Sequence, residues 1–440
     1  MFTLYNVLQL IFIFIFLPFI LLRIALTPKY RQRILSRLGL HFPSMDAVDD
    51  SGPRIWIHAL SVGEVMSSAA LVREMRRRFP DWVIIYSTST ATGAAIARQK
   101  LGETVDHLIT YPLDLFWSVR HVVKNVRPEL FVLIETDLWP NMLGAISRRG
   151  TPIILLNGRI SGSSFSYYKR FSLFFRPIFS LIDKFAMQSR ADEERMIELG
   201  ISPRKIYSIG NLKFDQEGVQ VGEKEIEELR RTLHIPPRSK VFIAGSTHAG
   251  EEEIILSAYG KLIFTYPDLF LVLAPRDPGR ADDVKGLAQS AGFDTYKKTE
   301  LPGLPESNTV QVVVLDTLGE LSKLYALATV AFVGGSLVPE RGHNLLEVAS
   351  HAKPVVFGPH TEDFKEADAA LIRKGGGYMV SNENELVKIL ELILSNDVLA
   401  QKAGEKAFQV IKKNRGAVEK AIDLISETLR VTGYGLRVTS

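Results

Sequence analysis

The stretch Ala331-Phe-Val-Gly-Gly-Ser-Leu-Val-Pro-Glu-Arg-Gly-His-Asn-Leu-Leu-Glu347, followed by Pro354-Val-Val-Phe-Gly-Pro-His360, decides how the rest of the chain is read. An apolar strand runs into paired glycines, a polar loop and a helix, and a second apolar strand follows at once. Gly334 and Gly335 can let backbone approach a ligand closely or take positive φ, where a Cβ is costly. Asn344 suits a helix N-cap, and the N–H groups behind it would face an anion at the positive end of the helix dipole. Glu347, one turn on, has the geometry to accept two vicinal hydroxyls. With Ser336 and His343 these residues form a candidate nucleotide-sugar pocket. They equally suit an ordinary strand-turn-helix in which the glycines only make the turn.

Outward from this stretch the same alternation recurs. Apolar, β-rich runs near 54–57, 83–87, 130–134, 152–156, 184–187 and 205–208 alternate with helical patterns at 65–78, 93–101 and 138–149. After a charge-rich helix at 223–232 the pattern restarts with strands at 241–244, 269–274, 312–315, 330–333 and 354–357. Strands separated by crossover helices form a parallel sheet covered on both faces, so the expected fold is α/β with two Rossmann-like doubly wound domains. Ligands of such sheets bind beyond the carboxyl ends of the strands, and the expected active site is a cleft between the domains. The expected limits are 28–213 for an N-terminal acceptor-binding domain, 214–237 for a linker, 238–400 for a C-terminal donor-binding domain and 401–440 for a helical tail.

Composition excludes several classes. The chain of 440 residues is 46% hydrophobic and 23% charged, as a globular protein is. It has no cysteine, which removes disulfides, thiolate catalysis and Cys-ligated metals. The net charge of +4 comes without a long run of like charge, which fits an acidic membrane surface and gives no sign of nucleic acid. From Phe2 to Leu22 there is no charge, and basic residues follow at Arg23, Lys29, Arg31, Arg33 and Arg37. A cleaved signal carries its charge before the apolar run, so residues 1–27 are expected to be an uncleaved anchor with the body on the cytoplasmic side of the inner membrane. A helix lying on the leaflet satisfies the same pattern. Arg31, Arg33 and Arg37 are then candidates for anionic headgroups.

Gly245-Ser-Thr-His-Ala-Gly250 has the glycine spacing of a P-loop, but Glu251 and Glu252 stand where Lys and Ser/Thr are needed. No Gly-x-Gly-x-x-Gly follows a strand, and there is neither His-Glu-x-x-His nor Asp-x-Asp. No cofactor and no metal is therefore expected, and protein cations would have to take the charge of a departing phosphate. Arg276 and Arg280, just after a strand, and Lys213, in the hinge between the domains, are the candidates. Asp316-Thr-Leu-Gly-Glu320 places a capping residue and a glycine N–H at another helix start. On the N-terminal side, His58-Ala-Leu-Ser-Val-Gly-Glu64 sets Glu64 at a helix start after a strand, where it suits either a dipole-complementing surface residue or a general base. Glu135-Thr-Asp-Leu-Trp-Pro-Asn141 and Asn157-Gly-Arg-Ile-Ser161 are further polar elements at strand ends.

Together with Gly210-Asn-Leu-Lys-Phe-Asp215, Ala274-Pro-Arg276 and the opening stretch, these blocks resemble the 3-deoxy-D-manno-octulosonic acid (Kdo) transferases of lipopolysaccharide assembly. The resemblance runs along nearly the whole chain, with the blocks in order. It implies a GT-B glycosyltransferase that carries Kdo from CMP-Kdo to the 6'-hydroxyl of a tetraacylated lipid A precursor, with inversion and without a metal. It implies Glu64 as general base, and Glu135 and Lys213 as stabilisers of the transition state. It implies CMP contacts at Pro275 and Arg276, at Leu318, Gly319 and Glu320, and at Asn344, Leu345, Leu346 and Glu347. Leu345 stands where relatives often have proline, and Arg341 where they often have glycine. Two other readings fit part of the pattern: a GT-B enzyme using a UDP-sugar, and a membrane-anchored binding module without turnover.

Overall fold

A computed structural model describes residues 2–27, 33–40, 52–215, 221–305 and 309–431. The chain forms two compact units and passes between them at 216/217 and again at 413/414. The second unit thus runs past the expected limit at 400, and the chain from Asn414 belongs to the first. Residues 216–220 of the expected linker lie outside the described residues.

The first unit holds β1 (Arg54–Ala59), β2 (Val83–Thr88), β3 (His107–Thr110), β4 (Leu130–Ile134), β5 (Ile153–Gly158), β6 (Lys184–Met187) and β7 (Ile206–Ser208), in the order β3-β2-β1-β4-β5-β6-β7. The second holds β8 (Val241–Thr247), β9 (Phe270–Pro275), β10 (Thr295–Lys297), β11 (Val312–Val314), β12 (Val330–Val333), β13 (Val355–Phe357) and β14 (Gly377–Met379), ordered β10-β11-β9-β8-β12-β13-β14. The described pairings in both sheets are parallel. Every residue of β4 and of β12 is buried, because crossover helices cover both faces of a parallel sheet and leave no wet side for polar alternation.

Strand order places the two switch points. In the first sheet the chain turns outward in one direction from β1 and in the other from β4, so the loops after these neighbours part from each other. In the second sheet β8 and β12 are the corresponding pair. Such a parting of loops at the carboxyl ends is the ligand position of doubly wound sheets.

The helix Phe2–Leu26 continues through Pro18, and its stretch Phe2–Phe19 is long and apolar enough to cross a membrane, with none of it buried in the protein. Its first turns are tied to the first unit. The Tyr5 hydroxyl donates to Asp114 at 3.0 Å, and the Asn6 and Asn141 amides exchange hydrogen bonds of 3.0 and 2.7 Å. At the other end of the chain the helix Ala417–Val431 buries Ala421, Ile422, Ile425 and Leu429 in the core shared with Val65 and Leu71. Asp215 accepts the Gly416 and Val418 N–H groups at 2.7 and 2.5 Å and so caps that helix.

Candidate functional site

At the switch point of the first sheet, β1 ends at Ala59 and the helix Val62–Arg78 begins after Ser61, three residues earlier than the sequence pattern indicated. Glu64 therefore occupies the third helical position and turns its carboxylate back over the turn. The Leu60 N–H and the Ser61 hydroxyl, the latter at 3.2 Å, donate to it. It is 8% exposed. Burial and the neighbouring charges of Glu135 and Asp137 outweigh those two donors and push its carboxyl up to about 8.

Glu135 follows β4 directly, with φ +60, and its N–H still bonds Leu156 before the chain turns away. On the neighbouring strand Asn157 sits at a register shift with φ +58. Left-handed backbone at a side chain other than glycine costs about 1–2 kcal/mol, and two such residues side by side mark a place where geometry is held against local preference. Asn157 connects the elements: its amide donates to Glu135 at 3.5 Å and accepts the Leu212 N–H at 3.0 Å. Leu212 opens the turn Leu212–Asp215 that carries Lys213, and Asn211 accepts the Lys213 N–H at 3.0 Å. Lys213 is thus part of the first unit, built against the same strand ends as Glu64 and Glu135. The three expected catalytic residues are brought together on one unit.

Two members of this cluster had no role in the sequence reading. Asp137 accepts from Trp139 Nε1 at 2.6 Å and lies 3.3 Å from His58 Nε2. His58 is wholly buried and stacked on Tyr111 at 3.5 Å between ring centres, and burial lowers its basicity. Both lie in blocks singled out by sequence, yet the contact between them joins positions 79 residues apart and has no local signal.

In the second unit the glycine turn is built differently from the expectation. A Cβ on Gly334 would lie 2.4 Å from the Ser246 carbonyl, and Gly335 has φ +66, so both positions need glycine. The N–H groups of Gly335, Ser336 and Leu337, at 2.8, 3.0 and 2.9 Å, all point to the carboxylate of Glu251, which also takes the His248 N–H at 2.9 Å. The turn gives these donors to the protein's own buried carboxylate, and Ser336 bonds Val333 and Gly358. Gly334, Gly335 and Ser336 therefore shape the loop. The misfit that ruled out a P-loop, a glutamate at 251, is the residue that organises it.

That loop presents His343, whose Nε2 is 2.8 Å from Nε2 of His248 with the rings nearly parallel. Burial, the Arg276 charge and His248 bring His343 down to about 4. The Arg276 side chain is exposed and its N–H is fixed to Thr247 at 2.9 Å, at the end of β9 beyond Pro275. Asn344 is the N-cap of the helix Leu345–Ser350 and accepts the Leu346 N–H at 3.1 Å; its amide meets Glu347 at 3.2 Å. Leu345 and Leu346 are buried, so their side chains serve the core. Arg280, expected to face the ligand, is held by buried Glu252 at 2.9 Å instead. At the end of β11, Gly319 has φ +86 and Leu318 is exposed. Glu320 is engaged by Lys298 and Thr317, and the helix behind it has only four residues, which gives little dipole to an anion.

Residues 32–216 match the family described as 3-deoxy-D-manno-octulosonic-acid transferase (kdotransferase). A 3-deoxy-D-manno-octulosonic acid transferase of Haemophilus influenzae is 34% identical over 404 residues, which cover 92% of this chain and 93% of that one. The chain belongs to this family. A second Kdo transferase, of Chlamydia pneumoniae, is 29% identical and covers 94% of each chain. Among solved structures, a UDP-GlcNAc 2-epimerase of Neisseria meningitidis bound to UDP-GlcNAc shares the fold with a TM-score of 0.58 at 14% identity, over 84% of this chain and 99% of that one. The fold is that of GT-B proteins, and the family transfers Kdo in lipopolysaccharide biosynthesis.

Proposed function

We propose that the chain transfers Kdo from CMP-Kdo to the 6'-hydroxyl of a lipid A precursor, by single displacement with inversion and without a metal. Glu64 carries this reading. It is a buried carboxylate beside two others at a switch point, and its raised affinity for protons suits a general base working near neutral pH. Glu64 takes the proton of the acceptor hydroxyl as that oxygen bonds the anomeric carbon of Kdo, and the bond from that carbon to the CMP phosphate oxygen breaks. Glu135 and Lys213, fixed through Asn157, stabilise the charge of the transition state. Preorganised groups of this kind are usually the largest electrostatic contribution to catalysis.

CMP is taken by the second unit, where Pro275 and Arg276, the turn Leu318–Glu320, and Asn344 to Glu347 are its contacts. Arg276 meets the phosphate and Glu347 the ribose. Glu320 reaches the nucleotide only by leaving Lys298, and Leu345 and Leu346 contribute backbone. The apolar N-terminal helix holds the chain at the inner membrane with its body on the cytoplasmic face, next to a lipid acceptor. Incubating the full chain with CMP-Kdo and a lipid A precursor, then weighing the product, should show one or more added Kdo residues. Transfer from a UDP-sugar instead, or no transfer from either donor, would refute the reading.

A further inference from the structure

We propose that the first unit carries a binding site for a phosphate monoester at the end of β2, built from the hydroxyls of Thr88 and Ser89, the opening N–H groups of the helix Ala91–Leu101 and the guanidinium of Arg33. The sequence there is Ser87-Thr-Ser-Thr-Ala-Thr-Gly93. Thr88 is 2% exposed and Ser89 9%, and the side-chain oxygen of each has no hydrogen-bond partner among the described residues. Buried hydroxyls seldom stay unpaired, and two in succession at a strand's carboxyl end point to a ligand that completes them. The eleven-residue helix that follows supplies donors. Thr90 accepts the Gly93 and Ala94 N–H groups, each at 3.0 Å, while the Ala91 and Thr92 N–H groups have no partner among the described residues. They stand at the positive end of the helix.

Room and charge agree with this. A Cβ on Gly93 would meet Thr90 Oγ1 at 2.7 Å and would stand 3.7 Å from the Cβ of Thr88, so glycine keeps the first turn open over Thr88. Arg33 bridges the ends of two paired strands, with long contacts of 3.4 Å to the Ser89 carbonyl and 3.5 Å to Thr110 Oγ1. A tetrahedral dianion has oxygens enough for two hydroxyls, two N–H groups and a guanidinium, and it would strengthen every one of these bonds through its charge. The site also adjoins the reacting group. Thr88 pairs with Ala59 in the sheet, and the carbonyl carbon of Ser61 is 3.5 Å from the Cβ position of Gly93. A phosphate held here fixes which hydroxyl of the same molecule meets Glu64. This part rests on the reading above, in which the first unit takes a phosphorylated glycolipid acceptor.

The test has two arms, both on the full chain in detergent. In the first, inorganic phosphate is titrated and its binding followed by phosphorus NMR and calorimetry. Arg33→Gln and Ser89→Ala should each weaken binding about tenfold, the loss of one charge-assisted contact. Thr88→Ser, which keeps the hydroxyl, should retain affinity where Thr88→Val loses it, with melting curves confirming that each variant folds. Unchanged affinity in both Arg33→Gln and Ser89→Ala overturns the site. In the second arm, transfer is measured with a phosphorylated acceptor and with the same acceptor dephosphorylated. Arg33→Gln and Ser89→Ala should raise KM for the phosphorylated acceptor alone, leaving kcat within about twofold; equal losses on both acceptors overturn the acceptor role. Phosphate binding that depends on Arg33 and Ser89, in a chain that transfers no Kdo, upholds the site and refutes the proposed function. Binding of phosphate with no difference between the two acceptors assigns the site to free phosphate.

Discussion

Glu64 and Glu251 occupy corresponding places in the two units, each at the start of a helix that follows the first central strand, and each is buried. Their surroundings differ in the count of donors and the sign of the neighbours. Glu251 receives four backbone N–H groups. Glu64 receives one N–H and one hydroxyl and faces two carboxylates. One topology thus saturates one carboxylate with donors and leaves the other short of them. With every lone pair engaged the group fixes a loop, and with few donors and like charge nearby it holds a proton that it can exchange.

The largest effect that would break this comparison is on turnover. Glu64→Ala should lower the transfer rate by roughly 10²–10⁴, the usual worth of a general base, while CMP affinity measured by calorimetry stays within twofold. Glu251→Ala should act on the fold: four N–H groups lose their acceptor, those of Gly335 and Ser336 fully buried, at about 1–3 kcal/mol for each buried one that finds no substitute. Its melting temperature should fall steeply and donor KM should rise. If instead Glu251→Ala is stable and Glu64→Ala unfolds, the two roles are reversed.

Smaller effects sharpen the contrast through pH. The folded value for Glu64, about 8, lies above the 4.5 of an unperturbed glutamate. Between these two values the folded chain holds a proton that the unfolded chain has released, so this group's contribution to stability declines as pH rises from 4.5 to 8. Glu64→Gln removes the decline, and its gain in melting temperature over the parent should be larger at pH 8.5 than at pH 5. Glu135→Gln, which deletes the largest like-charge contribution, should move the acidic limb of kcat/KM to lower pH. The smallest effect expected is from Asn344→Ala, about 1 kcal/mol for a lost N-cap, read in a denaturant titration.

Much of the fold was legible because central strands of a parallel sheet are continuous apolar runs. The strands that the pattern did not mark, β3, β10 and β14, are all at sheet edges, where one side lacks a neighbour and the runs are short. Glu64 and Glu135 stood out as acidic residues at strand ends and Lys213 as a cation in the hinge, while the roles of Glu135 and Lys213 came from the family resemblance. The bridge that assembles them, from Glu135 through Asn157 to Leu212, could not be read from sequence, since it depends on a register shift and two left-handed residues. Nor could the filling of the glycine turn by Glu251, which joins residues 84 to 86 apart. Arg341 is a case where the departure noted in the sequence has a structural counterpart: it has φ +69, the backbone region that glycine adopts freely, and an exposed ion pair with Asp363 at 2.6 Å accompanies it.

In the proposed function Glu64 is a base tuned by burial and by its acidic neighbours. The pH dependence of kcat/KM for Kdo transfer tests it most directly. An acidic limb with an apparent pKa near 8 is expected in the parent chain. A limb in the ordinary carboxylate range, near 4.5, would contradict it.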